Sequence, residues 1–76
     1  MTEKRNYREA IITIINRYER PGEDLERGIM EGAPSVISER EARGIARWLE
    51  RNAAAIRGHD RRYRIIAEEI RRALIA

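Results

Sequence analysis

The chain has few of the residue types that supplement a small hydrophobic core. It contains no cysteine and no phenylalanine, a single histidine and only two prolines among 76 residues. Without cysteine, neither a disulfide framework nor a thiolate metal site can form. A chain of this length forms one domain, residues 1–76, and its small core must be stabilised by apolar packing and local helix chemistry.

Long hydrophobic runs are absent as well. No apolar segment approaches the ~20 residues that an α-helix needs to span a bilayer. Residues 1–9 include glutamates ahead of a short apolar stretch, and no small-residue cleavage site follows, so a secretory signal is not expected. These features predict a soluble, cytoplasmic protein that has no membrane partner.

Charged residues are abundant and unevenly distributed. Residues 1–38 carry six basic and seven acidic side chains, whereas residues 39–76 carry ten basic and six acidic side chains, a net charge of +4. Almost all of the basic side chains are arginine, which pairs in a planar, bidentate manner with carboxylate or phosphate. Such a basic half is consistent with a nucleic-acid-binding protein, with a heat-adapted or GC-rich source, or with a designed protein. The absence of cysteine, phenylalanine and glutamine also favours design.

Helix breakers and capping residues divide the sequence into four predicted helices, which cover approximately residues 2–20, 23–32, 38–57 and 60–76. Pro21 cannot continue the first helix and therefore ends it. Ser38 and Glu41 match the S-x-x-E capping box, in which each residue bonds the backbone of the other. The other expected caps are Thr2, Gly32, Gly58 and Asp60.

Apolar residues recur three and four positions apart within each segment, which indicates one buried face per helix. No segment alternates with the period of two that strands show. We therefore expect an all-α fold, a small irregular four-helix bundle with three long helices plus one short helix. Val36 and Ile37 are expected to pack the loop before the third helix against the core. The predicted helical core comprises Tyr7, Ala10, Ile11, Ile14, Ile15, Tyr18, Leu25, Ile29, Met30, Ala42, Ile45, Ala46, Leu49, Ala53, Ile56, Tyr63, Ile66, Ala67, Ile70, Ala73 and Leu74.

The third helix carries the arginine stripe, which we define as Arg40, Arg43, Arg47 and Arg51 in the segment SEREARGIARWLER. At 100° per residue these side chains fall within an arc of about 80°, almost opposite the apolar face. A solvated helix face explains this placement. It does not explain why all four side chains are positively charged, because arginines four residues apart repel one another. The stripe is therefore a candidate contact for an acidic protein partner or for nucleic-acid phosphates.

Other features of the sequence argue against sequence-specific DNA recognition. A helix-turn-helix unit has a turn of 3–4 residues, whereas the segment from Gly32 to Ser38 is longer. Asn52 is the one base-reading residue type near the stripe, and it lies about 120° around the helix from Arg40, well away from the arginine arc. Nucleic-acid binding through phosphates remains the alternative function.

Trp48 is the only tryptophan of the chain, and the small residue Gly44 precedes it by one helical turn. One interpretation is that Trp48 seals the second helix or the following loop onto the bundle. The other is that it anchors a partner, because tryptophan and arginine are enriched at binding hot spots. Ile12 and Ile65 lie off the apolar faces of their helices, so their exposure would favour a homo-oligomer.

No combination of residues supports catalysis, a cofactor or a metal. His59 adjoins Asp60 at a helix junction, where both suit capping and solvent contact better than acid–base chemistry. The sequence lacks the Glu-x-x-His pairs that build metal sites in bundles, and its single glycines form no phosphate-binding motif. The basic cluster Arg57, Arg61, Arg62 and Arg64 is a weak candidate for a phosphate site.

The sequence thus predicts a compact helical domain that is not an enzyme and needs neither cofactor nor metal. We interpret it as a designed or engineered scaffold with a protein-interaction surface at Arg40, Arg43, Arg47, Trp48 and Arg51. The alternative is a small nucleic-acid-binding protein that contacts phosphates through the arginine stripe.

Overall fold

A computed structural model describes residues 5–55 and 60–75 of the chain. Within these residues the secondary structure consists of four α-helices without strands. The helices are α1 (Arg8–Tyr18), α2 (Leu25–Met30), α3 (Glu39–Ala55) and α4 (Asp60–Ile75). The predicted all-α bundle of three long helices and one short helix is confirmed. No helix in the described part is long and apolar enough to cross a membrane.

The core lies where the apolar faces of the helices meet. The long helices α3 and α4 pack along each other, α1 packs against α4, and α2 packs against α1. The buried apolar side chains that the structure describes all belong to the predicted helical core, apart from Ile37 of the loop that was predicted to pack against it, which confirms the inward faces. The largest fully buried ones are Ile11, Ile15, Ile37, Leu49, Ile66 and Ile70.

The start of α1 differs from the prediction because residues 5–7 bond to the loop that precedes α3. The Asn6 Oδ1 atom accepts hydrogen bonds from the backbone N–H groups of Arg8, at 3.0 Å, and of Ile37, at 2.9 Å. The backbone N–H of Tyr7 donates to the Ile37 carbonyl at 2.9 Å. These bonds replace helical ones, so α1 begins at Arg8.

The same bonds explain why only half of the loop prediction is correct. Ile37 is fully buried, as predicted, because hydrogen bonds on both sides of its backbone fix it against the bundle. Val36 is 50% exposed, so its predicted burial is wrong.

The ends of the helices follow local chemistry. The helix α1 stops at Tyr18, two residues earlier than predicted, and Glu19 is already extended. Arg20 precedes Pro21, and a residue before proline disfavours the helical conformation. Gly32 has a φ of +80° just after α2, a left-handed conformation that suits its predicted role as a helix terminator.

The predicted capping box at the start of α3 is confirmed. The Ser38 N–H donates to Glu41 Oε1 at 2.9 Å, and the Glu41 N–H donates to Ser38 Oγ at 3.1 Å. Several other predicted residues lie outside the described ranges, namely Thr2, Ile56, Arg57, Gly58 and His59.

Candidate functional site

An open groove separates α2 from α3, and we call it the α2–α3 groove. It arises because α2 is packed on α1 while α3 is packed on α4. Its central part, of about 400 Å³, has an apolar floor formed by Ile29 of α2 together with Ile45 and Trp48 of α3. A second part of about 360 Å³ continues past Ile29 and Trp48 to Tyr63 of α4.

Trp48 lines both parts of the groove and is 46% exposed. Its indole ring stacks on the buried Tyr63 ring, with the ring centroids 6.4 Å apart and an angle of 27° between the planes. The structure thus places Trp48 beside α2, as the sealing interpretation expects. It also leaves nearly half of the side chain open to solvent, which the partner interpretation requires.

Two glycines keep the groove open. Gly28 of α2 and Gly44 of α3 both line it. A Cβ atom added at either position would meet no atom within 4 Å in the part of the chain that the structure describes. Since a helical glycine costs about 1 kcal/mol relative to alanine, the described packing does not explain why these two positions lack a side chain.

A largely buried ion pair fixes α2 and the turn before it to α4. Arg62 donates from both terminal nitrogens to the Glu23 carboxylate, at 2.7 and 2.5 Å, and also to the Tyr18 carbonyl at 3.0 Å. The two side chains are only 13% and 19% exposed. The hydrogen bonds that Arg62 donates to the Glu23 carboxylate raise the pKa of Arg62, so its guanidinium stays charged at every physiological pH.

This pair changes the interpretation of the predicted basic cluster. Arg62 is directed inward to Glu23, away from the predicted basic cluster, whereas Arg61 and Arg64 are exposed. The sequence contains one signal for the inward direction of Arg62. Arg62 precedes the buried Ile66 by one helical turn and therefore falls on the inner face of α4.

The walls of the groove are acidic. Asp24 and Glu31, next to the ends of α2, and Glu41 of α3 line it, and none of the three has an ion pair among the described residues. The backbone N–H of Ser38 lowers the pKa of Glu41 through its hydrogen bond to the carboxylate. Of the groove-lining residues within the described ranges, none is a lysine or an arginine.

The arginine stripe lies on a different side of α3. All four of its side chains are exposed, and Arg43 pairs with Glu39 at 2.9 Å. The side chains of Arg40, Arg47 and Arg51 make no ion pair or hydrogen bond with any other residue that the structure describes. Helix geometry sets Trp48 about 60° to 140° around the axis from the members of the stripe. The predicted site therefore comprises two surfaces, a basic one and the groove that contains Trp48.

The remaining candidate residues do not come together as a site within the part of the chain that the structure describes. Ile12 is half-buried and packs against the core, and Ile65 is also half-buried, so the exposed apolar surface considered for a homo-oligomer is not present at these positions. Within the described ranges there is no group of three or more His, Asp or Glu side chains suited to a metal ion.

Together the fold and the groove define a small helical domain with an open, partly apolar surface groove. No family model, curated protein or solved structure matches the chain.

Proposed function

We propose that the protein is a non-catalytic interaction domain whose α2–α3 groove binds a segment of another protein, with Trp48 as the anchor. The observation that carries this proposal is the half-exposed Trp48 side chain between Ile29 and Ile45 in a groove that is already open. A tryptophan in such a setting offers a large apolar contact area and is the residue type most enriched at binding hot spots.

The stack on Tyr63 supports this role because it restricts the Trp48 ring before any partner arrives. A side chain that is already ordered loses little conformational entropy on binding, so more of the contact energy contributes to affinity. The two glycines support the proposal in a second way. With no Cβ atom at Gly28 or Gly44, the backbone of a partner segment can approach the groove floor closely.

The proposal is tested with a panel of synthetic helical peptides that share leucines at spacings of three and four. Their polar positions are all lysine, all glutamate or all glutamine, and a control peptide has serine in place of every leucine. Because Trp48 is the only tryptophan, its emission reports directly on the groove. At least one leucine peptide is expected to shift that emission in a saturable manner, and the serine peptide is not.

Two variants assign the binding to the groove. Trp48→Ala is expected to remove binding measured by calorimetry, while Ile75→Ser is expected to retain it, because Ile75 is 83% exposed at the far end of α4. Circular dichroism checks that both variants are folded. The proposal is rejected if no leucine peptide binds at about 1 mM, the weak limit of useful affinity.

The second candidate function, nucleic-acid binding, is favoured by the arginine stripe alone. Three exposed arginines without an ion pair among the described residues are available for phosphate contacts. Four phosphate contacts give a slope of about −3 to −4 in a plot of log affinity against log salt for duplex DNA. Such a slope with a mixed-sequence duplex, and its reduction by about 1 in Arg47→Gln, would support this function. An acidic protein partner remains the other candidate for the same stripe.

The scaffold interpretation makes the opposite prediction in both assays. A chain designed or engineered only to fold would show saturable binding to neither the leucine peptides nor DNA. The peptide panel and the salt series therefore distinguish all three interpretations.

A further inference from the structure

We infer that the segment bound in the α2–α3 groove is basic and amphipathic, with an apolar centre flanked by lysine or arginine. This inference rests on the proposed function, because it names the partner of the same groove. The chain as a whole has a net charge of +3. Its groove nevertheless is lined by four carboxylates, and by no lysine or arginine in the described part of the chain.

One of the four carboxylates is already neutralised. Glu23 forms the bidentate pair with Arg62 and is mostly buried. Asp24, Glu31 and Glu41 are exposed instead, and each lacks a cationic partner among the residues described. These three charges are the ones available to a ligand.

Their placement around the floor specifies the pattern of the ligand. Asp24 lies at the end of the groove that leads to Tyr63, and Glu31 lies at the other end of α2. Glu41 is on the opposite wall, in α3. The carboxylates thus surround the apolar floor, so a complementary segment places an aliphatic or aromatic side chain on Trp48 and cations on either side of it.

A second copy of the chain is a poor occupant. Pairing the groove with itself in a symmetric dimer would bring the carboxylate walls of both copies together, and like charges repel. The arginine stripe has the correct charge, but among the side chains that the structure describes on that face of α3 there is no large apolar one that could cover Trp48. A separate basic segment satisfies both requirements.

The charge of the ligand is tested with the lysine and glutamate peptides, which differ only at their polar positions. At about 0.05 M salt, where screening is weak, the lysine peptide is expected to bind at least tenfold more tightly than the glutamate peptide. Raising the salt concentration to about 0.5 M is expected to reduce this difference severalfold, because the contacts are exposed to solvent.

A triple variant tests the carboxylates themselves. Asp24→Asn, Glu31→Gln and Glu41→Gln together are expected to weaken binding of the lysine peptide about tenfold, given roughly twofold per exposed charge pair. Asparagine tolerates the left-handed backbone at position 24, where φ is +55°, and glutamine at position 41 keeps an acceptor for Ser38. The control is Glu9→Gln with Glu68→Gln, which makes the same kind of change at two exposed carboxylates outside the groove lining.

The outcomes separate the inference from the proposed function. Equal affinity for the lysine and glutamate peptides, or unchanged affinity in the triple variant, would overturn the inference while groove binding stands. A loss of log affinity in the control pair that is about two thirds of the loss in the triple variant would also overturn it, because the effect would then scale with the two and three charges removed, as a net-charge effect does. Failure of every leucine peptide to bind rejects both.

Discussion

The ion pair between Arg62 and Glu23 provides the strongest test of how α2 is positioned. Substituting Glu23 by glutamine removes the charge while keeping nearly the same shape. The chain also contains a matched control, the pair of Arg71 with Glu50 at 2.7 Å, in which the side chains are 41% and 42% exposed. Glu50→Gln makes the same chemical change in a solvent-exposed ion pair.

The expected magnitudes differ because the two pairs differ in burial. With Arg62 and Glu23 only 13% and 19% exposed, Glu23→Gln leaves a nearly buried guanidinium without its counter-charge, which costs about 3 kcal/mol. Glu50→Gln is expected to cost less than about 1 kcal/mol, the usual value of an exposed pair. For a domain of this size, with a free energy of unfolding of about 4–11 kcal/mol, the first change is large and the second is small.

Urea unfolding followed by circular dichroism measures both free energies. With a slope of about 1–1.5 kcal/mol per molar urea, Glu23→Gln should lower the midpoint by about 2–3 M, whereas Glu50→Gln should lower it by less than about 1 M. If the two variants lose equal stability, the burial of the Arg62 pair does not determine its contribution, and the position assigned to α2 is wrong.

Further predictions concern the capping box and the turn before α2. Ser38→Ala should lower the free energy of unfolding by about 1 kcal/mol in urea titrations, because α3 loses its cap. Since the folded pKa of Glu41 is lowered, its charge stabilises the fold above the unfolded pKa, and this contribution is lost as the pH falls through the folded pKa. Thermal melts of Glu41→Gln should therefore depend less on pH below about pH 4, and equal pH profiles would refute this. Asp24→Gly should raise the free energy of unfolding by about 0.5 kcal/mol, because Asp24 has a φ of +55°; a loss of stability would contradict it.

The helices and their buried faces could be predicted because they depend on local sequence. Ile11 and Ile15, like Ile66 and Ile70, are spaced by one helical turn, and all four are fully buried. The Ser38 capping box is local as well, since its hydrogen bonds connect residues three positions apart.

The contacts that position α2 and the loop before α3 could not be predicted, because they join residues far apart in sequence. Arg62 and Glu23 are 39 positions apart, and Asn6 and Ile37 are 31 positions apart. Neither helical periodicity nor turn chemistry relates such residues. Without these contacts, the sequence leaves open which side of α3 the short helix approaches.

That uncertainty explains why the sequence joins Trp48 and the arginine stripe into one surface. They share a helix, and although the helical wheel sets Trp48 about 60° to 140° from the members of the stripe, it does not show which of these two directions faces another helix. The position of α2 adds the missing information, because it places Trp48 in a groove with Ile29 and acidic walls.

The central claim is that the α2–α3 groove is open for a ligand and that the fold itself does not need it to be open. Gly44→Gln tests this directly, because glutamine is the better helix former by about 0.5 kcal/mol and its side chain would extend into the groove. The measurement is the affinity of this variant for the lysine peptide, by Trp48 fluorescence. We expect a folded protein at least as stable as the parent that has lost binding at least tenfold. An unchanged affinity in the folded variant would contradict the account.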